Sequence, residues 1–177
     1  VYDTEKGEPV EGGRRALTSA GIQTLEIVLR DEVNGLKATL LYGVLPGLDI
    51  ITRAVKVENE GTETVNLLKV QSACLDFLYG DYDLIQFYGR HAMERNFQRT
   101  PVAHGAQMIG SRRGTSSHQY SPFVILAEQT ATEDQGGCYG LSFVYSGAFK
   151  AEVEKDQYNQ VRISMGLQDE LFDYPLK

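Results

Sequence analysis

Alternation with a period of two residues constrains this chain more than any other feature. Leu25, Ile27 and Leu29 alternate with Glu26, Val28 and Arg30. Ile51, Arg53, Val55 and Val57 alternate with Thr52, Ala54, Lys56 and Glu58. Tyr139, Leu141, Phe143 and Tyr145 alternate with Gly140, Ser142 and Val144. Val161, Ile163, Met165 and Leu167 alternate with Arg162, Ser164, Gly166 and Gln168. In an extended chain such a pattern sends one set of side chains to a buried face and the other toward solvent. Turn-forming residues separate the runs: Asp31 to Gly35, Glu58 to Thr62, Gly80 to Asp83, and Tyr158 to Gln160. The Asn59-Glu60-Gly61 stretch is expected to supply a positive φ at its glycine. Residues Val1 to Ala20 read as an irregular lead-in that holds at most a short strand, with order beginning at Thr24. No segment carries a clean helical spacing, and His91 to Arg99 is the sole candidate. The expectation is an all-β, antiparallel sandwich occupying residues 1–177 as a single domain.

Composition narrows what such a sandwich does. Of 177 residues, 42% are hydrophobic and 23% charged, enough apolar material to offset the entropy of ordering a core. The net charge of −7 repels phosphate, so nucleic acid and anionic membrane surfaces are poor partners. No apolar run reaches the roughly 20 residues of a membrane helix. Cys74 and Cys138 are too few to build a disulfide framework and are expected to be reduced core thiols. The chain opens at Val1 without an initiator methionine and reads as a piece of a longer polypeptide.

One stretch breaks the strand rhythm. Gly89 to Pro122 is polar and holds all three histidines, His91, His104 and His118, together with Arg90, Arg95, Arg99, Arg112 and Arg113. It reads as a long connection that is functional or packs on another surface. The histidines lack the spacing of metal ligands, so no metal site and no cofactor is expected. Ser116-Ser117-His118 lacks the context of a nucleophile motif, and its simpler reading has the serines turning the chain while His118 makes a structural hydrogen bond. Gly110-Ser-Arg-Arg-Gly114 lacks the spacing of a phosphate loop, but adjacent guanidiniums suit carboxylates of a neighbouring surface. Glu133 and Asp134 read as a solvated hairpin tip.

The order of these motifs resembles the N-terminal domain of glycoside hydrolase family 36. The stretches that carry the resemblance are Asp49 to Asn59, Gly80-Asp81-Tyr82, Glu94-Arg95, Ser111 to His118, Pro122, Thr132 to Gly140, and Val144-Tyr-Ser-Gly147. The chain departs from the family's pattern at His91, where the family has Trp, and at Ser121, Gly137 and Ala148. The resemblance implies an antiparallel β-supersandwich of the galactose mutarotase-like kind. It also implies that the catalytic carboxylates of a retaining α-galactosidase lie on a separate TIM barrel, so no catalytic residue is expected here. Its implied partners are that barrel, neighbouring subunits of a homo-oligomer and, through the whole enzyme, an α-galactoside. A bacterial cytoplasmic setting goes with it. Glu94, Arg95, Arg112, Arg113, Ser116, Ser117 and His118 are the candidates for a substrate rim or subunit interface. Two alternatives stay open: a free-standing carbohydrate-binding module, and a mutarotase-like enzyme using Glu94 with His118.

Overall fold

The computed structural model describes residues 9–10, 14–19, 22–45 and 47–177, with side chains from Gln23 onward. The expected lead-in lies partly outside these residues. Where it is described it is more regular than expected, since strands occupy Pro9–Val10 and Arg14–Ser19 and a third begins at Ile22. Every described element is a strand, every pairing is antiparallel, and the chain is an all-β sandwich. No described helix is long and apolar enough to cross a membrane.

Two compact units divide the chain: residues 1–68 with 173–177, and residues 69–172. The first contains β1 (Pro9–Val10), β2 (Arg14–Ser19), β3 (Ile22–Arg30), β4 (Leu36–Leu45) and β5 (Ile50–Asn59), paired in sequence order as one sheet. A two-stranded ribbon joins β6 (Val65–Leu67) to a terminal strand, Tyr174–Leu176. The Asp31 turn forms as expected, with the Asp31 carboxylate accepting from Val33 N–H at 2.9 Å and Gly35 at φ +72°. The second turn forms too, but Gly61 does not take a positive φ. It is glycine because a Cβ there would lie 2.5 Å from the Asn34 carbonyl oxygen.

Register places Leu25, Tyr42 and Arg53 side by side, and likewise Ile27, Leu40 and Val55. Arg53 lies over the Tyr42 ring at 3.6 Å, a cation–π contact. The period-two pattern thus gathers apolar residues on one face, as read from the sequence. That face is nevertheless open at several points: Leu25, Leu29 and Ile51 are 38%, 52% and 67% exposed. Alternation fixed the face but not its burial, because burial depends on what lies opposite.

The second unit is a sandwich with a closed core. Its strands are β7 (Gln71–Phe77), β8 (Tyr82–Arg90), β9 (Met93–Pro101), β10 (Gly105–Gly110), β11 (Phe123–Glu128), β12 (Cys138–Ser142), β13 (Phe149–Lys155) and β14 (Val161–Leu167). One sheet runs β10-β13-β14-β7, the other β12-β11-β8-β9. Leu84, Val124, Leu126 and Leu141 from one sheet meet Phe149, Ala151, Val153, Val161, Ile163 and Met165 from the other. The expected face of the last long strand is correct: Val161, Ile163 and Met165 are buried, and Leu167 is half-buried. The β12-β11-β8-β9 sheet carries a second apolar cluster of Ile85, Ala127 and Ala131, with Phe87 and Ile125 against it.

Candidate functional site

The segment expected as one long connection, Gly89 to Pro122, is about half strand. β9 and β10 occupy 93–101 and 105–110, and the irregular part is residues 111–122. Helix is likewise absent from His91 to Arg99, most of which pairs with β8. β9 is mostly polar, with Met93 and Phe97 its apolar exceptions, so its sequence carries little strand signal, and pairing with β8 holds it extended.

The β8–β9 hairpin turns at His91 and Ala92, where Arg90 pairs with Met93. Ala92 takes φ +61° and Arg95 φ +59°, a conformation costly for residues with a Cβ. The Glu94 carboxylate accepts from Ala92 N–H at 3.0 Å, so it caps its own turn. Asn96 donates to the Met93 carbonyl at 2.8 Å and braces the same corner. These bonds fix the backbone from which Arg95 projects.

Residues 111–122 are equally well held. Ser111 is fully buried; its hydroxyl donates to the Thr115 carbonyl at 2.5 Å, and its N–H donates to the Phe149 carbonyl at 3.0 Å. Thr115 Oγ1 and Ser116 N–H each donate to the Ser146 carbonyl at 2.9 Å. Ser117 and Tyr120 exchange backbone bonds at 3.0 and 3.1 Å. The Ser-rich stretch therefore turns the chain, as read from the sequence, and pins it beside the 145–146 segment.

Together the hairpin and this loop form an open pocket of about 520 Å³ lined by Phe87, Arg95, Ser116, Ser117, His118, Ser121 and Pro122. Four of the expected site residues meet here: Arg95, Ser116, Ser117 and His118. Glu94, Arg112 and Arg113 do not line it. Arg112 pairs with Glu170, and Arg113 pairs with Gln119 beside the Tyr120 ring. His118 is exposed and takes part in no hydrogen bond among the described residues, contrary to the structural bond expected of it. With Glu94 committed to its turn, the pocket holds no Glu/His pair for ring opening.

Phe87 was not among the expected residues. Its ring stacks on Phe123 at 5.7 Å and meets Phe97 edge-on at 6.1 Å, which makes an aromatic floor. Its signal was the run Leu84-Ile85-Gln86-Phe87, whose apolar residues fall on both faces of the strand and so call for cover on both.

The remaining histidines and acids stand apart. His104 Nδ1 lies 3.0 Å from the Asp156 carbonyl oxygen, and His91 is exposed at the hairpin tip. Glu133 and Asp134 sit at a solvated tip, as expected, where Asp134 N–H donates to Thr132 Oγ1 at 3.2 Å. Among the described residues no group of three His, Cys, Asp or Glu could hold a metal. Cys74 and Cys138 are free, as expected, but both are exposed rather than core. Strand position explains this: each sits on a face directed away from the sandwich core, opposite Ser164 and Ala127 respectively.

Residues 3–177 match the family model of the glycosyl hydrolase family 36 N-terminal domain. The chain belongs to family 36. It is 58% identical over 154 residues to a bifunctional alpha-galactosidase/sucrose kinase of Mediterraneibacter gnavus, covering 87% of this chain and 16% of that protein. It is 46% identical over 145 residues to alpha-galactosidase AgaA of Geobacillus stearothermophilus, covering 82% of this chain and 20% of that protein. The crystal structure of AgaA superposes with a TM-score of 0.87 at 42% identity, over 97% of this chain and 24% of that one. The chain thus spans a quarter or less of the length of these relatives.

Within this family 36 N-terminal domain, the pocket offers a guanidinium, an imidazole, three hydroxyls and an aromatic ring. It can hold and orient a polar group. It has no pair of carboxylates with which to protonate a leaving oxygen and attack an anomeric carbon, the two tasks of glycoside hydrolysis.

Proposed function

We propose that this chain is the non-catalytic N-terminal sandwich of a retaining α-galactosidase that hydrolyses terminal α-galactosides such as melibiose and raffinose-type oligosaccharides. The observation that carries the reading is the match of residues 3–177 to the family 36 N-terminal model, in relatives named as alpha-galactosidases. One AgaA variant of Geobacillus stearothermophilus has been crystallised with raffinose, and another with stachyose. Retention of configuration requires two carboxyl groups roughly 5–5.5 Å apart on a rigid frame, which the face of a TIM barrel supplies. That barrel lies elsewhere in the polypeptide. Residues 1–177 act as one sandwich domain that supports the barrel, with Glu94, Arg95, Arg112, Arg113, Ser116, Ser117 and His118 toward its rim or a neighbouring subunit of a homo-oligomer. The free thiols of Cys74 and Cys138 suit a reducing, cytoplasmic setting.

The test is galactose release by the full-length protein. Melibiose and raffinose are expected to yield galactose, appearing first as the α-anomer by NMR. Release of the β-anomer would remove the retaining mechanism, and no release from either sugar would remove the substrate class.

A further inference from the structure

The cations of this acidic chain are almost all engaged. Among the residues whose side chains are described, every lysine before Lys177 and Arg30, Arg99, Arg112 and Arg162 pair with carboxylates, Arg90 and Arg113 hydrogen-bond to neighbours, and Arg53 stacks on Tyr42. Among the residues whose side chains are described, from Gln23 onward, Arg95 and the terminal Lys177 alone have neither an ion pair, a hydrogen bond nor an aromatic face beneath them. Arg95 also sits at φ +59°, in a turn braced by the Glu94 and Asn96 side chains. In the same pocket His118 is unbonded, hydroxyl-bearing Ser117 and Ser121 contribute to the wall, and no acidic side chain lines the space.

We propose that this pocket is a carboxylate-binding site in which Arg95 provides the charge. A guanidinium presents parallel N–H donors that match the two oxygens of a carboxylate, and such charge-assisted bonds are about twice as strong as neutral ones. The His118 ring and the serine hydroxyls add donors around it. The Phe87 ring takes the aliphatic stem that carries the carboxylate. The chemistry discriminates against a neutral sugar, whose hydroxyl groups must also donate and find no carboxylate or amide acceptor here. The carboxylate comes either from an Asp or Glu side chain elsewhere in the full-length protein or from a free organic acid. Only the first source rests on the reading that this domain packs against a catalytic barrel or a second subunit.

The experiment uses the full-length protein, with Arg95→Lys, Arg95→Gln and Arg95→Gly, and reads thermal melting with and without millimolar succinate. Arg95→Gly separates a binding role from a structural one. At φ +59° glycine relieves backbone strain, so loss of a merely structural arginine raises the melting temperature or leaves it unchanged. If a free acid is the ligand, succinate raises the melting temperature of the wild type and not that of Arg95→Gln. If a side chain of the same protein fills the site, succinate does nothing. Arg95→Gln and Arg95→Gly then melt lower than wild type, and Arg95→Lys lies between. Either pattern supports the proposal and names the source. Arg95→Gly melting at or above wild type without a succinate response overturns it, as does an equal succinate rise in wild type and Arg95→Gln. Galactose release is not the readout, so an error in the assigned substrate leaves this test intact.

Discussion

Arg99 Nε donates to Asp83 Oδ2 at 2.6 Å across the β8–β9 pair. The same guanidinium donates to the carbonyls of Ala131, Glu128 and Gln129 at 2.8 to 3.0 Å. One side chain thereby ties the edge strand to the hairpin leaving β11, over the cluster of Ile85, Ala127 and Ala131. Arg99→Ala is expected to cost about 2–3 kcal/mol, since bonds to a charged group are worth more than neutral ones and Asp83 is left nearly buried. Lysine cannot reproduce the fork, so Arg99→Lys recovers only part of the loss. Urea denaturation measures both. A shift in the midpoint no larger than that of a surface substitution would mean that the clamp is idle.

The core of the second unit rests on the β13–β14 pair, where Val153 lies opposite Ile163 and Ala151 opposite Met165. Ile163 is fully buried. Ile163→Ala removes packed methyl groups and leaves a cavity, and is expected to cost about 2–5 kcal/mol. An unchanged unfolding midpoint would contradict the register.

Acid should weaken this fold in a way traceable to single residues. Hydrogen bonds from Arg162 at 2.6 and 3.0 Å hold the Asp76 carboxyl below its ordinary pKa. At Asp169 burial pushes the pKa up, but the hydrogen bonds and charge of Lys150 outweigh it and the net direction is down. A carboxyl whose pKa is lower folded than unfolded adds stability above its unfolded value, about 3.9, and loses it as pH falls through the folded one. Stability is therefore expected to be flat from pH 7 to about 5 and to fall below about pH 4. Asp169→Asn should shallow that fall, and more so than Asp76→Asn, whose partner is well exposed. Melting temperatures across pH 2.5–7 check this, and an unaltered slope in Asp169→Asn would contradict it.

Arg112 pairs with Glu170 at the surface, both side chains being roughly half exposed. Such a pair contributes at most about 1 kcal/mol. Arg112→Ala is therefore expected to leave the melting temperature nearly unchanged. If Arg112 also serves the proposed interface, the effect appears instead as a lower oligomer mass in light scattering. Unchanged mass would leave Arg112 a surface ion pair and remove it from the interface.

How legible this was in the sequence follows from what each residue depends on. Val161, Ile163 and Met165 were readable because their alternation is local and both sheets of their sandwich are present. Leu25, Leu29 and Ile51 alternate equally well, yet they are exposed, because periodicity names a face and not its cover. β9 was missed because Met93-Glu-Arg-Asn-Phe-Gln-Arg-Thr-Pro101 has almost no strand composition, and its extension comes from the partner strand. The concentration of arginines drew attention to the right region but merged three roles: Arg99 clamps a hairpin, Arg112 pairs at the surface, and Arg95 stands free in a pocket. Only geometry separates them. The Ser-Ser-His run was read correctly as a turn, whereas its meeting with Phe87 required the sheet.

The proposed role is that the domain supports an α-galactosidase without carrying its chemistry. The most direct measurement compares the full-length protein with residues 1–177 alone on a chromogenic α-galactoside. The full-length protein is expected to turn it over and the isolated chain to show no turnover above buffer. Turnover by residues 1–177 that survives repurification and is lost in Glu94→Gln or Glu133→Gln would place the catalytic carboxylates in this domain and contradict the account.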